Sequence, residues 1–246
     1  MFTNNPNLIQ IGTKVWVYKN FISKEDVAKV NALYDDLPIE KFMYDSHELD
    51  WYKDKSGPNN MELVNIWKKA GDFLGPEYVA HPNLSMQYMK PGDEPMFVHA
   101  DSPGEGEMDQ LVSTDRWSSC CIISYGAVMY FGEFTGGEIF YPSIDKDGKT
   151  AFDRKNEPDR ECLSYAPQPG DLVIHDSHSP WEHGVTEVKS GKRYAYSLFV
   201  MHKDANPGSF YNYNTKESND QIENDLQSWG TPLFVNPQFA HRPDAY

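Results

Sequence analysis

The sequence predicts a mainly β domain with flanking helices, and two observations carry the prediction. Helical periodicity is confined to the first third of the chain. From about residue 84, short runs rich in Tyr, Ile, Val and Phe are separated by Gly, Pro and Asp, as strands and turns are. Many strands at irregular spacing point to a sandwich, jelly roll or barrel with the helices packed outside it. No internal repeat, low-complexity tract or Gly/Ser linker divides the 246 residues. One structural domain is therefore expected, with a helical and strand support region over 1–83, a β core over 84–202 and a tail over 203–246 that packs on the core or on a partner.

Taken in order, a short lead precedes FISKEDVAKVNALYDDL, where Ser23 is a good N-cap with Asp26 three residues on, a capping-box-like pair. Val27, Val30 and Leu33/Tyr34 then form an apolar helical stripe. A second helix is expected through MELVNIWKKAGDFLG, with Leu63, Ile66/Trp67 and Ala70 on one face and Gly75-Pro76 as its stop. The expected strands are LSMQYM, MFVHAD, SSCCIISYGAVMYF, GEIFYP, LVIHD and RYAYSLFVM. Between them, SIDKDGKTAFDRKNEPDRE is dense in charge and turn residues and reads as an exposed insertion.

Composition excludes several classes. With 37 acidic and 22 basic side chains the formal net charge is −15, the wrong sign for neutralising nucleic-acid phosphates. Aromatics at 14% and hydrophobics at 39% are too many for a disordered acidic chain. The three cysteines, Cys120, Cys121 and Cys162, are odd in number and two are adjacent, so a reducing compartment is expected rather than a disulfide framework. The N-terminus has neither the basic nor the apolar part of a signal peptide, and no apolar run approaches a membrane span. The expectation is a cytoplasmic protein (a host's cytoplasm if the source is viral), with no nucleic-acid or membrane partner.

The chemistry centres on His99-Ala100-Asp101. On an extended strand, residues i and i+2 project from one face, so this imidazole and carboxylate can share a metal. A third ligand far along the chain would complete the two-histidine, one-carboxylate facial triad of non-haem Fe(II) oxygenases. His175, His178 and His183 compete for that place, and His183 is favoured because Gly184-Val185 and then an Arg-bearing strand follow it. His175 and His178 read instead as locally bonded histidines, and Asp176 as a turn residue or an acceptor for a ligand imidazole. A turn at Lys189-Ser190-Gly191 is expected to fold the His183 strand back against RYAYSLFV. On that strand Arg193, Ala195, Ser197 and Phe199 share one face, and Tyr194, Tyr196, Leu198 and Val200 the other. Small residues leave room for the Arg193 guanidinium to grip a dicarboxylate through a bidentate pair, and Lys192 is the nearest other cation.

Over roughly Leu84 to Met201 the sequence resembles the Fe(II)- and 2-oxoglutarate-dependent dioxygenases, in their prolyl 4-hydroxylase-like branch. The residues that carry the resemblance are Tyr88, Pro91-Gly92, His99-Ala100-Asp101, Tyr130-Phe131, Gly136-Gly137-Glu138-Ile139-Phe140-Tyr141-Pro142, Pro169-Gly170-Asp171, His183-Gly184-Val185 and Arg193, in the family's order. The resemblance implies a double-stranded β-helix, or jelly-roll, core. It implies that His99, Asp101 and His183 hold Fe(II), that Arg193 pairs with the distal carboxylate of 2-oxoglutarate, and that Tyr88 and Tyr130 are co-substrate phenols, with Tyr125 an alternative to Tyr130. Fe(II), 2-oxoglutarate and O2 are the implied cofactor and co-substrates, with ascorbate a candidate accessory reductant. The implied reaction is hydroxylation of a C–H bond with release of succinate and CO2. A prolyl residue in a peptide or protein is the most specific substrate, and a free amino acid or small metabolite the alternative. Asp101 favours hydroxylation over the halogenation that related enzymes perform when that ligand is a small residue.

Other classes remain open from sequence alone. A non-catalytic jelly-roll binding module would be expected to lack a ligand or the Arg, and a zinc or manganese hydrolase would not need Arg193. Bland readings stand beside the rest: Gly136-Gly137 as a tight turn, Cys120 and Cys121 as strand residues, and Trp181 as a packed indole or a lining of the substrate mouth. The segment SPGEGEMDQLVSTDRW reads as a lid or as a plain solvated loop.

Overall fold

In a computed structural model of the chain, the described residues are 2–35, 47–50, 61–80, 85–101, 124–149 and 161–202. Their elements run β1 (Leu8–Gly12), β2 (Val15–Tyr18), α1 (Lys24–Asp35), β3 (His47–Asp50), α2 (Met61–Leu74), β4 (Tyr78–Ala80), β5 (Ser85–Met89), β6 (Met96–His99), β7 (Tyr125–Phe131), β8 (Phe134–Gly136), β9 (Ile139–Asp145), β10 (Cys162–Tyr165), β11 (Leu172–Asp176), β12 (His183–Val185), β13 (Val188–Gly191) and β14 (Arg193–His202). The insertion after Lys149, the acidic segment after Asp101, Cys120, Cys121 and the tail fall outside the described residues.

Both helices form where periodicity places them, and for the expected reasons. The Ser23 hydroxyl accepts the Asp26 N–H at 3.1 Å and donates to the Asp26 carboxylate at 2.7 Å, closing the N-terminus of α1. Val27, Val30 and Tyr34 are buried along its stripe, as are Ile66 and Ala70 of α2. Gly75, at φ +85°, ends α2 in the left-handed conformation that favours glycine.

The strands form a jelly-roll core of facing antiparallel sheets. The major sheet, eight-stranded among the described residues, has the order β1-β2-β11-β7-β14-β5-β3, with β4 also on β14; the minor sheet runs β10-β9-β12-β6, and β13 pairs with β8 separately. Period-two alternation assigns each major-sheet residue to one of two cores. Ala127, Met129 and Phe131 of β7, Leu172 and Ile174 of β11, and Tyr194, Tyr196 and Leu198 of β14 join α1 and α2 in a large helix-side core. Val128, Tyr130, Val173 and Ala195, alternating with them, belong to the interior between the sheets. Ile139, Tyr141, Ile144 and Leu163 line that interior from the minor sheet.

Two features depart from the sequence reading. The lead contains the β1–β2 hairpin, and β2 is an inner strand of the major sheet, pairing with β11. Its Val15 and Val17 point between the sheets while Trp16 and Tyr18 pack on the helix side. The expected hairpin between the His183 strand and β14 does not form. Instead β12 lies in the minor sheet between β9 and β6, and β13 pairs with β8. The chain crosses from one sheet to the other in those few residues, so His183 and Arg193 face each other across the sandwich interior rather than along one sheet.

The Pro169-Gly170-Asp171 turn is held by a buried carboxylate. Asp171 accepts the N–H of Asn20 at 3.1 Å and of Gln168 at 3.0 Å, the Tyr165 hydroxyl at 2.6 Å and the Lys19 ammonium at 3.1 Å. It thereby ties the entry to β11 to the end of β2. Replacing Asp171 with Ala strands these donors, at a cost of about 2–4 kcal/mol. Urea denaturation should show a clearly lower midpoint at unchanged slope, and an unchanged midpoint would mean that water satisfies the donors equally well.

Candidate metal centre

Strand pairing builds the site. β12 runs antiparallel to β6 with His183 directly opposite His99, and Asp101 follows two residues beyond His99. The three side chains converge: one ligand atom from each of His99, Asp101 and His183 lies within 4.8 Å of the other two. Asp101 Oδ1 is 3.9 Å from His99 Nε2 and 4.0 Å from His183 Nε2, and the two imidazole rings are 4.6 Å apart. Donors so spaced need move inward by only about 1 Å to share an ion about 2 Å from each.

Protonation suits ligation. His99 Nδ1 lies 3.0 Å from the Phe97 carbonyl. A carbonyl only accepts, so Nδ1 carries the hydrogen, and in the neutral ring Nε2 is the nitrogen with a lone pair, turned inward. Burial, reinforced by His175 and His99, pushes His183 down to about 3 against the pull of Asp101, leaving a neutral imidazole. For Asp101, burial acts to raise the carboxyl, but His183, the His175 hydrogen bond and His99 outweigh it and hold it at about 2. Two imidazoles and one carboxylate make a donor set that fits a divalent iron-type ion.

The cavity beside this cluster is lined by His99, Asp101 and His183 and also by Tyr130, Arg193 and Gln87. Arg193 is 1% exposed. Its Nε donates to the Gly137 carbonyl at 3.2 Å, and its guanidinium carbon lies 5.1 Å from the centre of the Tyr130 ring. No carboxylate pairs with it among the described residues. The Tyr130 hydroxyl is likewise buried without a hydrogen-bond partner among them. Burial raises this phenol to about 12 despite the guanidinium beside it, so it remains a donor. An unpaired buried cation and an orphaned hydroxyl in one cavity make a receptor for a carboxylate. Gly137, at φ +62°, is part of it: a Cβ there would stand 2.7 Å from Arg193 Cδ. The Gly136-Gly137 pair thus makes room for Arg193 as well as turning the chain.

The structure corrects the sequence reading at Tyr88. It pairs with Tyr194 on the helix side, rings stacked at 5.2 Å, inside the helix-side core. Its neighbour Gln87, opposite Ala195, faces the cavity instead, because the register of β5 on β14 fixes which parity points inward. Tyr125 also packs on the helix-side core, leaving Tyr130 as the cavity phenol. Lys192 pairs with Asp35 of α1 at 2.9 Å, outside the cavity. Asp176 and His178 bind each other at 3.1 Å, and Asp176 also binds Lys14 at 2.6 Å rather than a ligand imidazole. The Trp181 indole donates to the Thr13 carbonyl at 2.6 Å. His175, which in sequence competes for the third ligand place and reads as locally bonded, instead meets Asp101, 74 residues away.

No family model matches the sequence. No curated protein matches it either. Solved structures do match in fold. AviO1 from Streptomyces viridochromogenes superposes with a TM-score of 0.51 at 14% identity, covering 80% of this chain and 93% of that one. A viral collagen prolyl hydroxylase from Paramecium Bursaria Chlorella virus-1, in complex with 2-oxoglutarate, gives 0.50 at 13% identity over 79% and 98%. The non-haem α-ketoglutarate-dependent epimerase SnoN from nogalamycin biosynthesis gives 0.50 at 13% over 77% and 78%. The chain has the fold of the 2-oxoglutarate and Fe(II) oxygenases. Within that fold, no helix among the described residues is long and apolar enough to cross a membrane.

Gly126 of β7 lies where a Cβ would run into Asp101 Oδ2 and His175 Nε2. Gly126→Ala should therefore displace the carboxylate and weaken Co(II) binding on the order of 10–100-fold, with the far-ultraviolet circular dichroism of the native chain retained. Native affinity in this variant would show that Asp101 does not need its present position.

Proposed function

We propose that the protein is an Fe(II)- and 2-oxoglutarate-dependent dioxygenase that hydroxylates a C–H bond, and that its substrate is a prolyl residue in a peptide or protein. The observation that carries the reading is a buried Arg193 with no acidic partner among the described residues, in the same cavity as a His-Asp-His cluster. A zinc or manganese hydrolase has no use for such a cation, and a binding module has no use for the cluster. In this reading His99 Nε2, Asp101 Oδ1 and His183 Nε2 hold the iron. Arg193 binds the distal carboxylate of 2-oxoglutarate through its guanidinium, and the Tyr130 hydroxyl donates to the same group. Burial of both donors excludes water and fixes the direction in which the co-substrate enters. Fe(II), when bound, supplies the redox chemistry that divides O2 between succinate and the hydroxylated product, with release of CO2. Asp101 contributes one negative charge, leaving the site net positive toward the anionic co-substrate.

The polypeptide substrate is supported by β6, the edge of the minor sheet among the described residues. Phe97 is 72% exposed and Val98 46% exposed on β6, the strand that ends in His99. An apolar sheet edge leading to the reactive centre suits an extended chain better than a small polar metabolite. The collagen prolyl hydroxylase among the fold neighbours is compatible with that choice, although fold by itself does not select a substrate.

The test is an anaerobic titration of the metal-free chain with Fe(II) and then 2-oxoglutarate, followed by visible absorbance. The native chain should develop the charge-transfer band of a chelated keto acid, and Asp101→Ala should not. Arg193→Met, which keeps bulk but removes charge, should bind iron yet need at least about 10-fold more 2-oxoglutarate. Iron binding without the band would overturn the dioxygenase reading, and a native titration curve for Arg193→Met would move the carboxylate clamp elsewhere.

A further inference from the structure

We propose that His175 is a positioning residue that orients the Asp101 carboxylate for one-oxygen metal ligation, with Tyr141 fixing the tautomer in which it does so. The inference rests on the metal-binding reading of His99, Asp101 and His183.

His175 lies at 0% exposure on β11, a strand whose other members are Leu172, Val173, Ile174 and Asp176. An imidazole buried there is stable only if both nitrogens find partners. Nε2 lies 3.0 Å from Asp101 Oδ2, and Nδ1 lies 3.0 Å from the Tyr141 hydroxyl. An ionised carboxylate only accepts, so Nε2 carries the hydrogen, and in the neutral ring Nδ1 is then the acceptor for the Tyr141 O–H. Tyr141 is itself fully buried, its ring edge-on to the imidazole at 5.6 Å and 68°. The direction of the bond to Asp101 is thereby determined, and that of the bond to Tyr141 follows for the neutral ring.

The consequence falls on Asp101. With Oδ2 engaged by His175, Oδ1 is the oxygen that faces His99 and His183, at 3.9 and 4.0 Å. The same bond keeps His175 out of the ligand set: its ring is 4.1 Å from that of His183, but the nitrogen nearest the site carries a hydrogen and cannot coordinate. The relay also spans the two sheets. Tyr141 belongs to β9 of the minor sheet, His175 to β11 of the major sheet, and Asp101 follows β6 of the minor sheet. Gly126, the cross-strand partner of His175, clears the space in which the bond forms.

The experiment measures Co(II) affinity and the cobalt d–d spectrum of the full chain without 2-oxoglutarate, alongside the thermal midpoint of each metal-free variant. His175→Leu should weaken Co(II) binding 10–100-fold and alter the d–d bands. His175→Gln, whose amide can still donate to Asp101, should recover most of the affinity, and Tyr141→Phe should fall between. A purely structural role predicts affinities that follow the thermal midpoints with no rescue by Gln, and that pattern would overturn the proposal. Ring nitrogen NMR of the metal-free native chain should report His175 protonated at Nε2; protonation at Nδ1 would overturn it even if His175→Leu fails to fold. Failure of the native chain itself to bind Co(II) would overturn the metal site on which the inference rests, an outcome distinct from native-like binding in the variants.

Discussion

Taking a guanidinium out of water into a protein interior costs several kcal/mol even after relaxation, and the usual remedy is a carboxylate beside it. Arg193 is buried with a backbone carbonyl, the Met89 sulfur and the face of Tyr130 as its contacts among the described residues. Much of the surrounding architecture follows from keeping that cation in place yet unneutralised. Gly137 has no side chain because one would strike Arg193. Ala195, the next residue of the same parity on β14, keeps the floor low. The register of β14 against β7 sets Tyr130 opposite Ala195, so a phenol with no hydrogen-bond partner among the described residues stands beside the guanidinium. A core selected for stability alone would fill this space with apolar side chains; this one holds a guanidinium with no carboxylate beside it among the described residues.

The second constraint is the division of the strands between two sheets. His99 and His183 sit opposite each other on β6 and β12 of the minor sheet, while Arg193 and Tyr130 project from the major sheet. The His-Asp-His cluster and the buried guanidinium therefore face one another across the sandwich interior. His175 and Tyr141 brace that gap. Their hydrogen bonds run from one sheet to the other and back, so the distance between the sheets at this point is set by polar groups of fixed length as well as by apolar packing.

The sequence carried the parts of this arrangement that depend on local spacing. The His-x-Asp pair needed only its two-residue spacing, although β6 ends at His99 and Asp101 lies just past it; the Ser23 cap and Gly75 stop needed only helix-end chemistry, and the alternation along RYAYSLFVM separates Arg193 from Tyr194. What escaped depended on pairing partners far along the chain. Tyr88 was assigned to the cavity because a Tyr-bearing strand fitted the family pattern, but the register against β14 turns Gln87 inward. The lead hid β1 and β2 because Val15-Trp16-Val17-Tyr18 is apolar on both faces, as a strand covered on both sides must be, and so shows no alternation. His175 sat in an apolar run and read as locally bonded, since nothing near it in sequence announces Asp101 as its partner.

A crystal structure of the chain with Mn(II), as a redox-silent substitute for iron, and 2-oxoglutarate would test the central claim most directly. The account predicts the metal bound to His99 Nε2, Asp101 Oδ1 and His183 Nε2, with the distal carboxylate of 2-oxoglutarate on the Arg193 guanidinium and within hydrogen-bond reach of the Tyr130 hydroxyl. Metal bound elsewhere, or a co-substrate carboxylate that leaves Arg193 unpaired, would contradict it.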